Sequence, residues 1–353
     1  MTFYYFGVEI EVIVEPHNKQ QPVPAPVSDH LDYWYDKIAK ALRNRKGSDQ
    51  QALKAIAESR RTTYRSTTDR YLTWWITWDG SLIAPEWPKH PGVPLEAVSP
   101  RLETRKRWED EIDAFWSAMR AVFHMPRRVL RCGSHVHVSP GRGSFHLKEL
   151  QAIAFAVVFY NDQVQQVLPQ SRRNYHYCVP NKEHSRKLKG KSISAVAALI
   201  NAVQSKEKLV EIIQGLSKKD RPVLWNFHNV TKMPFTEEPA IGTVEFRGGR
   251  CLRGPVRTKR WISFAVAFMI LAIQEFKLPL KSSYPSCSPS LFWQKIRNAA
   301  ATENMAQHLP ESFKTMNESN RSDITDDPGD DYPFDLPNAR FIPQSGSTSD
   351  VEV

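Results

Sequence analysis

Three short stretches, far apart in the chain, alternate apolar and charged residues with a period of two. They are Val8-Glu9-Ile10-Glu11-Val12, His135-Val136-His137-Val138-Ser139 and Thr243-Val244-Glu245-Phe246-Arg247. A period of two is the signature of a β-strand with one face in a core and the other turned away from it. The apolar positions therefore define the buried face of a sheet. The opposite face receives Glu9 and Glu11, then His135, His137 and Ser139, then Thr243, Glu245 and Arg247. If the three strands share one sheet, carboxylates, imidazoles and a guanidinium meet on it. Carboxylates with a few imidazoles suit Mg2+ or Mn2+. An arginine fork beside them suits phosphate. Metal with phosphate suggests nucleotide-driven chemistry. Taken singly, the histidine strand is equally readable as a solvent-facing strand whose histidines are incidental.

Two further strands add to the set. Leu72 to Trp78 is aromatic and β-branched and leads into the turn Asp79-Gly80-Ser81. Asp79 can be read as a metal or amine carboxylate, or simply as turn chemistry. Val93 to Ser99 follows, with Glu96 facing away from its neighbours Leu95 and Ala97, which makes it a third carboxylate for the cluster.

The remaining elements read as helices and loops. Helices are expected from about Ser28 to Glu58, with a break near Lys46-Gly47-Ser48, and from Arg101 to Phe123. More follow from His146 to Leu168, from Ser192 to Gly215 in one or two pieces, from Pro255 to Phe276 and from Phe292 to His308. A Pro-rich insertion at about 16–30 reads as an exposed loop. Arg60, Arg61, Arg65 and Arg70 form either a phosphate- or RNA-facing patch or a solvated loop. The segment Ser171-Arg172-Arg173-Asn174-Tyr175 can grip a carboxylate or a nucleotide, or be a basic loop; residues 181 to 190 read as a mobile basic stretch. Val223 to Val230 reads as a strand bordering the site through Trp225, Phe227 and Asn229. Gly248 and Gly249 allow close backbone approach to a ligand, and Arg250 is a second phosphate candidate.

These motifs, in this order, resemble the carboxylate–amine ligase superfamily that includes glutamine synthetase, and most closely its amidoligase branch. Glu9-Ile10-Glu11 resembles the family's Glu-x-Glu strand, Gly133-Ser134-His135-Val136-His137 its Gly-x-His-x-His strand, and Glu245-Phe246-Arg247 its Glu-x-Arg strand. Asp79-Gly80-Ser81 and Glu96-Ala97-Val98-Ser99-Pro100 resemble two further elements. The likeness spans roughly residues 3 to 261, and the Pro-rich insertion departs from it. It implies an α+β fold, with a curved, largely antiparallel sheet whose concave face holds the site and helices behind. It also implies ATP-dependent formation of an amide or isopeptide bond through an acyl phosphate. Glu9, Glu11, Glu96, His135 and Glu245 would hold Mg2+ (or Mn2+). His137, Ser139, Arg247 and Arg250 would meet ATP, with His137 and Arg247 at the transferring phosphoryl group. Asp79 would serve the amine, and Ser81, Arg172, Arg173 and Tyr175 would bind substrate, a small-molecule or peptide carboxylate and an amine. Two other classes share parts of the same inventory: a metal-dependent hydrolase or nuclease, and a basic nucleic-acid-binding module.

Composition sets the outer limits. At 353 residues and 41% hydrophobic content, the chain can bury a substantial core. No apolar run reaches the roughly 18–20 residues of a membrane span, and residues 261 to 273 read as a buried helix. The opening residues enter a strand directly, without the pattern of a signal peptide, so cytoplasmic residence is expected. Cys132, Cys178, Cys251 and Cys287 form no Cys-x-x-Cys pair and are expected as free thiols. A Cys132/His135 nucleophile is disfavoured because positions three apart on a strand face opposite ways. The net charge is +10, but residues 311–353 carry 3 Lys+Arg against 10 Asp+Glu. The catalytic domain is thus expected over 1–310, followed by an acidic, disordered tail. A basic body suits anionic ligands; neither a membrane nor a nucleic-acid partner is expected, and the oligomeric state is left open.

Overall fold

The computed structural model describes residues 3–17, 27–58, 71–82, 92–124, 132–173, 175–236 and 240–317. Most of the Pro-rich insertion, the Arg60–Arg70 cluster and the acidic tail beyond 317 lie outside these. The described chain is a mixed α+β fold around one open, mostly antiparallel sheet of nine strands. The strands are β1 (Tyr4–Pro16), β2 (Ala55–Ala57), β3 (Trp74–Thr77), β4 (Val93–Val98), β5 (Leu102–Glu103), β6 (Phe123–His124), β7 (Gly133–Pro140), β8 (Trp225–Asn226) and β9 (Val244–Arg250). The main order is β2-β3-β4-β1-β7-β9-β8, with β5 and β6 also pairing with β1; the one parallel pair is β2 with β3.

The three alternating stretches lie side by side. Glu9 is opposite His135 across β1 and β7, His137 is opposite Glu245 across β7 and β9, and Glu11 is opposite Glu96 across β1 and β4. The register slips between Ser134 and Val136, where β9 carries an extra residue in its glycine pair. The glycines are needed there: a Cβ on Gly249 would lie 2.0 Å from the Ser134 hydroxyl.

The apolar positions face the helices. Val8, Ile10, Val136, Val138, Val244 and Phe246 are all at most 1% exposed. The helix Pro255–Glu275 covers this face: Phe246 stacks on Trp261, and Trp225 of β8 stacks on Phe268. The helix Trp108–Val122 joins through a Trp116 indole bond of 2.8 Å to the Thr258 hydroxyl. Among the described residues no helix is long and apolar enough to cross a membrane.

Several elements differ from the sequence reading for local reasons. The first helix ends at Arg43, and the chain returns as β2, because Gly47 lets the turn press against Glu111 and Leu53. Residues 102–103 form β5 beside Phe6 instead of starting the next helix, which begins at Trp108. The expected 146–168 helix breaks at Tyr160 into Leu147–Phe159 and Asn161–Val167. The 181–190 stretch opens with the short helix Asn181–His184, whose Asn181 is buried, accepts from the Trp225 backbone N–H at 3.0 Å and donates to its carbonyl at 2.8 Å. The expected boundary at 310 falls within packed chain, since Met316 is 1% exposed and Asn317 donates to the Val167 carbonyl.

Because Met316 is core, Met316→Ala should cost about 2–5 kcal/mol of stability. Chemical denaturation of the full-length variant checks this; an unchanged midpoint would return residues 311–317 to the tail.

Candidate metal and anion site

The polar face of β1, β7 and β9 gathers the charged residues into one cluster. His135 Nδ1 lies 2.9 Å from Glu9 and 3.4 Å from Glu245, and its Nε2 lies 3.7 Å from Glu11. His137 Nε2 lies 3.1 Å from Glu9 and 3.9 Å from Glu245. Glu9, His137 and Glu245 each offer a ligand atom, all within 4.8 Å of one another, which is the spacing of a cation site. Glu96 is 3% exposed and flanks them from β4.

The electrostatics follow from burial. Glu245 is 0% exposed. Burial pushes its carboxyl up, but Arg247 first, then His137, Arg221 and His135, outweigh that and hold it far below the ordinary carboxylate range. Burial likewise opposes Glu9, yet the charge on His137 and the hydrogen bonds of His135 and His137 keep it well below the usual range. His137 is the mirror case: burial pushes it down, and Glu245 and Glu9 raise it above an ordinary histidine. Four carboxylates (Glu9, Glu11, Glu96, Glu245) crowd a region with the guanidinium groups of Arg172 and Arg247, and Arg221 also acts on Glu245 and His137. Buried carboxylates persist only with cationic partners, and oxygen donors with imidazole are a donor set that suits Mg2+ or Mn2+.

Arg247 is fixed beside this cluster. Its Nη1 donates to Glu245 at 2.5 Å, and its Nε lies 3.5 Å from the Tyr177 carbonyl. Arg172, 3% exposed, donates to the Arg247 carbonyl at 3.4 Å, and its guanidinium lies over the Tyr175 ring at 5.0 Å. Gly133 makes room for it, since a Cβ there would lie 2.2 Å from the Arg172 Nη2 and 3.0 Å from the Glu11 carboxylate. So Arg172 and Tyr175 reach the cluster's edge, whereas Arg173 turns away and donates to the Leu168 and Gln166 carbonyls. Arg250 sits at the end of β9 and donates to the Asn317 carbonyl. Asp79 accepts from the Ser81 backbone N–H at 2.7 Å, the Asx turn of its own loop, and neither residue lines the cleft described next.

A cleft of about 510 Å³ opens from the cluster. Glu9, Glu96, His137 and Ser139 lie along it, as do Tyr5, Arg101, Arg221 and the apolar Met233 and Phe235. Asn226, Arg221, Met233 and Phe235 escaped the sequence reading, whereas Asn229 and Thr243 were part of it. Asn226 donates to Glu245 at 2.7 Å and is itself held by Gln214 at 2.8 Å; Asn229 lies 3.4 Å from His137 Nδ1, which also meets Thr243 at 3.2 Å. Asn226 was legible in principle. It lies between core-facing Trp225 and Phe227, so a strand must turn it to the opposite face, toward the site; of the 225/227/229 set only Asn229, on the turn His228–Val230, reaches the cleft.

Fold and site together define an α+β protein with an acidic, histidine- and arginine-bearing cluster on an open, mostly antiparallel sheet. The chain belongs to the family described as putative amidoligase enzyme, whose model matches residues 3–269. No curated protein matches the chain.

Two expectations follow. Binding a metal must displace a proton from His137, whose affinity for protons is raised. Mn2+ affinity, measured by calorimetry, should therefore climb as pH rises between about 5 and 8, with its inflection above the ordinary histidine range; a flat profile would remove His137 as a ligand. Asn226→Ala frees Glu245 to swing and should weaken Mn2+ binding by about 10–100-fold without unfolding the chain.

Proposed function

We propose that this protein is an ATP-dependent carboxylate–amine ligase with a glutamine synthetase-like catalytic fold. The observation that carries this reading is the convergence of Glu9, His137 and Glu245 at cation spacing, with the Arg247 guanidinium bonded to the same Glu245. In the reaction, a substrate carboxylate oxygen attacks the γ-phosphorus of ATP and ADP leaves. An amine nitrogen then attacks the acyl carbon, phosphate leaves, and the nitrogen gives up a proton. The product is an amide or isopeptide bond. The acid and the amine would be small molecules or peptides.

Such phosphoryl transfer needs positioning and charge neutralisation more than covalent help from the protein. Glu9, Glu245 and His137 would hold Mg2+ or Mn2+, with Glu11, Glu96 and His135 around them. The ion would offset charge on the nucleotide phosphates. Arg247 has its fork oriented before substrate arrives, so its donors cost no reorganisation as charge develops on the transferring group. Arg172, held under the same strand end, supplies a second fixed cation for the phosphates or the substrate carboxylate. Ser139 offers a hydroxyl along the cleft. For the amine, Asp79 remains the acidic candidate, and serving it requires the 79–81 turn to bring the carboxylate toward the cleft.

Screening pairs of carboxylates and amines for ADP release in the presence of Mg2+ tests the function. Release that needs both partners supports it; hydrolysis of a substrate without ATP would replace it with the hydrolase reading. Once a pair is known, Arg247→Lys keeps the charge but loses the planar fork. It should bind Mg-ATP nearly as the parent does while single-turnover ADP formation falls by about 10²–10³. Unchanged turnover would take Arg247 out of the mechanism.

A further inference from the structure

The chain's excess positive charge is concentrated. Residues 182–221 carry 10 Lys+Arg against 4 Asp+Glu, a net of +6 in a chain whose total is +10. Three tertiary contacts fold parts of this region against each other. His184 Nε2 lies 3.3 Å from the Asp220 carboxylate, the Ser185 hydroxyl donates to the Ile212 carbonyl at 2.5 Å, and the Val179 backbone N–H donates to the Pro222 carbonyl at 3.2 Å. The stretch with Arg186, Lys189 and Lys191 is thereby brought against the stretch with Lys218, Lys219 and Arg221. All six residues are exposed, and among the described residues none of them makes an ion pair. Three of the four acids of the region are engaged elsewhere: Glu211 pairs with Lys187 and Lys208, Asp220 with His184, and Glu207 accepts from the Thr231 hydroxyl. Arg221 also lines the cleft, so the basic patch starts at the cleft wall and runs outward over the surface.

We propose that this basic rim docks an acidic peptide, and that the acid substrate is one of that peptide's carboxylates. The second half of this assignment rests on the ligase reading; the docking surface does not. Each exposed charge pair is weak on its own, so the rim favours a partner with repeated negative charge over a single carboxylate. Like charges gathered on one surface repel one another and attract a polyanion over a distance, which raises its rate of encounter. A peptide rich in Asp and Glu supplies the repeated charge and also the group that the proposed reaction consumes. One of its residues would pass Arg221 toward Glu9 and His137 while its neighbours stay on Lys218, Lys219, Lys189 and Lys191. A nucleic acid supplies the charge but no carboxylate to activate, so the site chemistry favours the peptide.

The test uses the full-length protein and a fluorescent oligoglutamate peptide followed by anisotropy. Oligoglutamine of the same length, single-stranded RNA of equal charge and phosphatidylserine vesicles serve as competitors. Oligoglutamate should bind without ATP, more weakly as salt is raised, and only unlabelled oligoglutamate should displace it efficiently. Lys189→Gln, Lys191→Gln, Lys218→Gln and Lys219→Gln together should weaken binding by about tenfold. All four positions are exposed, and an unchanged thermal midpoint shows that the variant is folded. No binding to the parent, equal binding by the variant, or stronger competition by RNA or vesicles would overturn the docking surface while leaving a small-molecule ligase intact. Docking followed by ATP-dependent joining of an amine to the bound peptide supports the whole assignment. Docking with hydrolysis of the peptide and no use of ATP keeps the surface and removes the ligase reading instead.

Discussion

Glu245 sits at the centre of the molecule's electrostatics. It is a fully buried carboxylate on a strand whose other face is core, and such a group persists only if its oxygens are fully engaged. Arg247 takes one oxygen and Asn226 the other, while His135 and His137 approach the first. Each partner is fixed in turn. Asn226 is gripped by Gln214, which also accepts from the Phe227 backbone N–H at 2.6 Å. Arg247 is flanked by the 172–177 segment, and His137 by Thr243 and Asn229. The helix ends and short turns around β8 and β9 thus have one shared task, which is to satisfy a single acidic group in low dielectric.

That arrangement links stability to function. The residues that hold Glu245 ionised leave its neighbour Glu9 ionised as well, and the two carboxylates lie on either side of His137. In the proposed metal site these two carboxylates need give up no proton, whereas His137 must. Polar support three residues deep, from Gln214 through Asn226 to Glu245, fixes the orientation of the Glu245 carboxylate.

Much of this was legible in the chain because it rests on strand alternation. Residues 8–12, 135–139 and 243–247 each declare a core face and a polar face, and register then places Glu9 opposite His135 and His137 opposite Glu245. The long-range supports were not legible. Nothing about Gln214 distinguishes it from a solvent-facing glutamine at a helix end, and its partner Asn226 is 12 residues away in a different element. Arg172 and Arg173 are indistinguishable as neighbours in sequence. Only the path of the turn sends the first beneath β9 and the second to helix carbonyls. Likewise Asp79 looked like site chemistry because acidic turns serve both purposes, and here its oxygen closes its own loop. The β2 strand was hidden by a helix pattern that Gly47 cuts short.

The position of β1 in the middle of the sheet carries a kinetic consequence. Its two flanking neighbours are β4, some ninety residues on, and β7, some hundred and thirty residues on, and the acidic cluster closes only when β9 docks beside β7. Contacts so distant along the chain must overcome a large loop-closure entropy before they return any stability. A nascent chain displaying β1 therefore holds an unpaired strand, with Glu9 and Glu11 on one face and Val8, Ile10 and Val12 on the other, until β4 and then β7 have been made, and the acidic cluster stays incomplete until β9 follows. The sheet's central strand waits for partners that lie far along the chain, so this fold belongs to the slowly assembling kind, exposed to aggregation during translation until β7 pairs with β1.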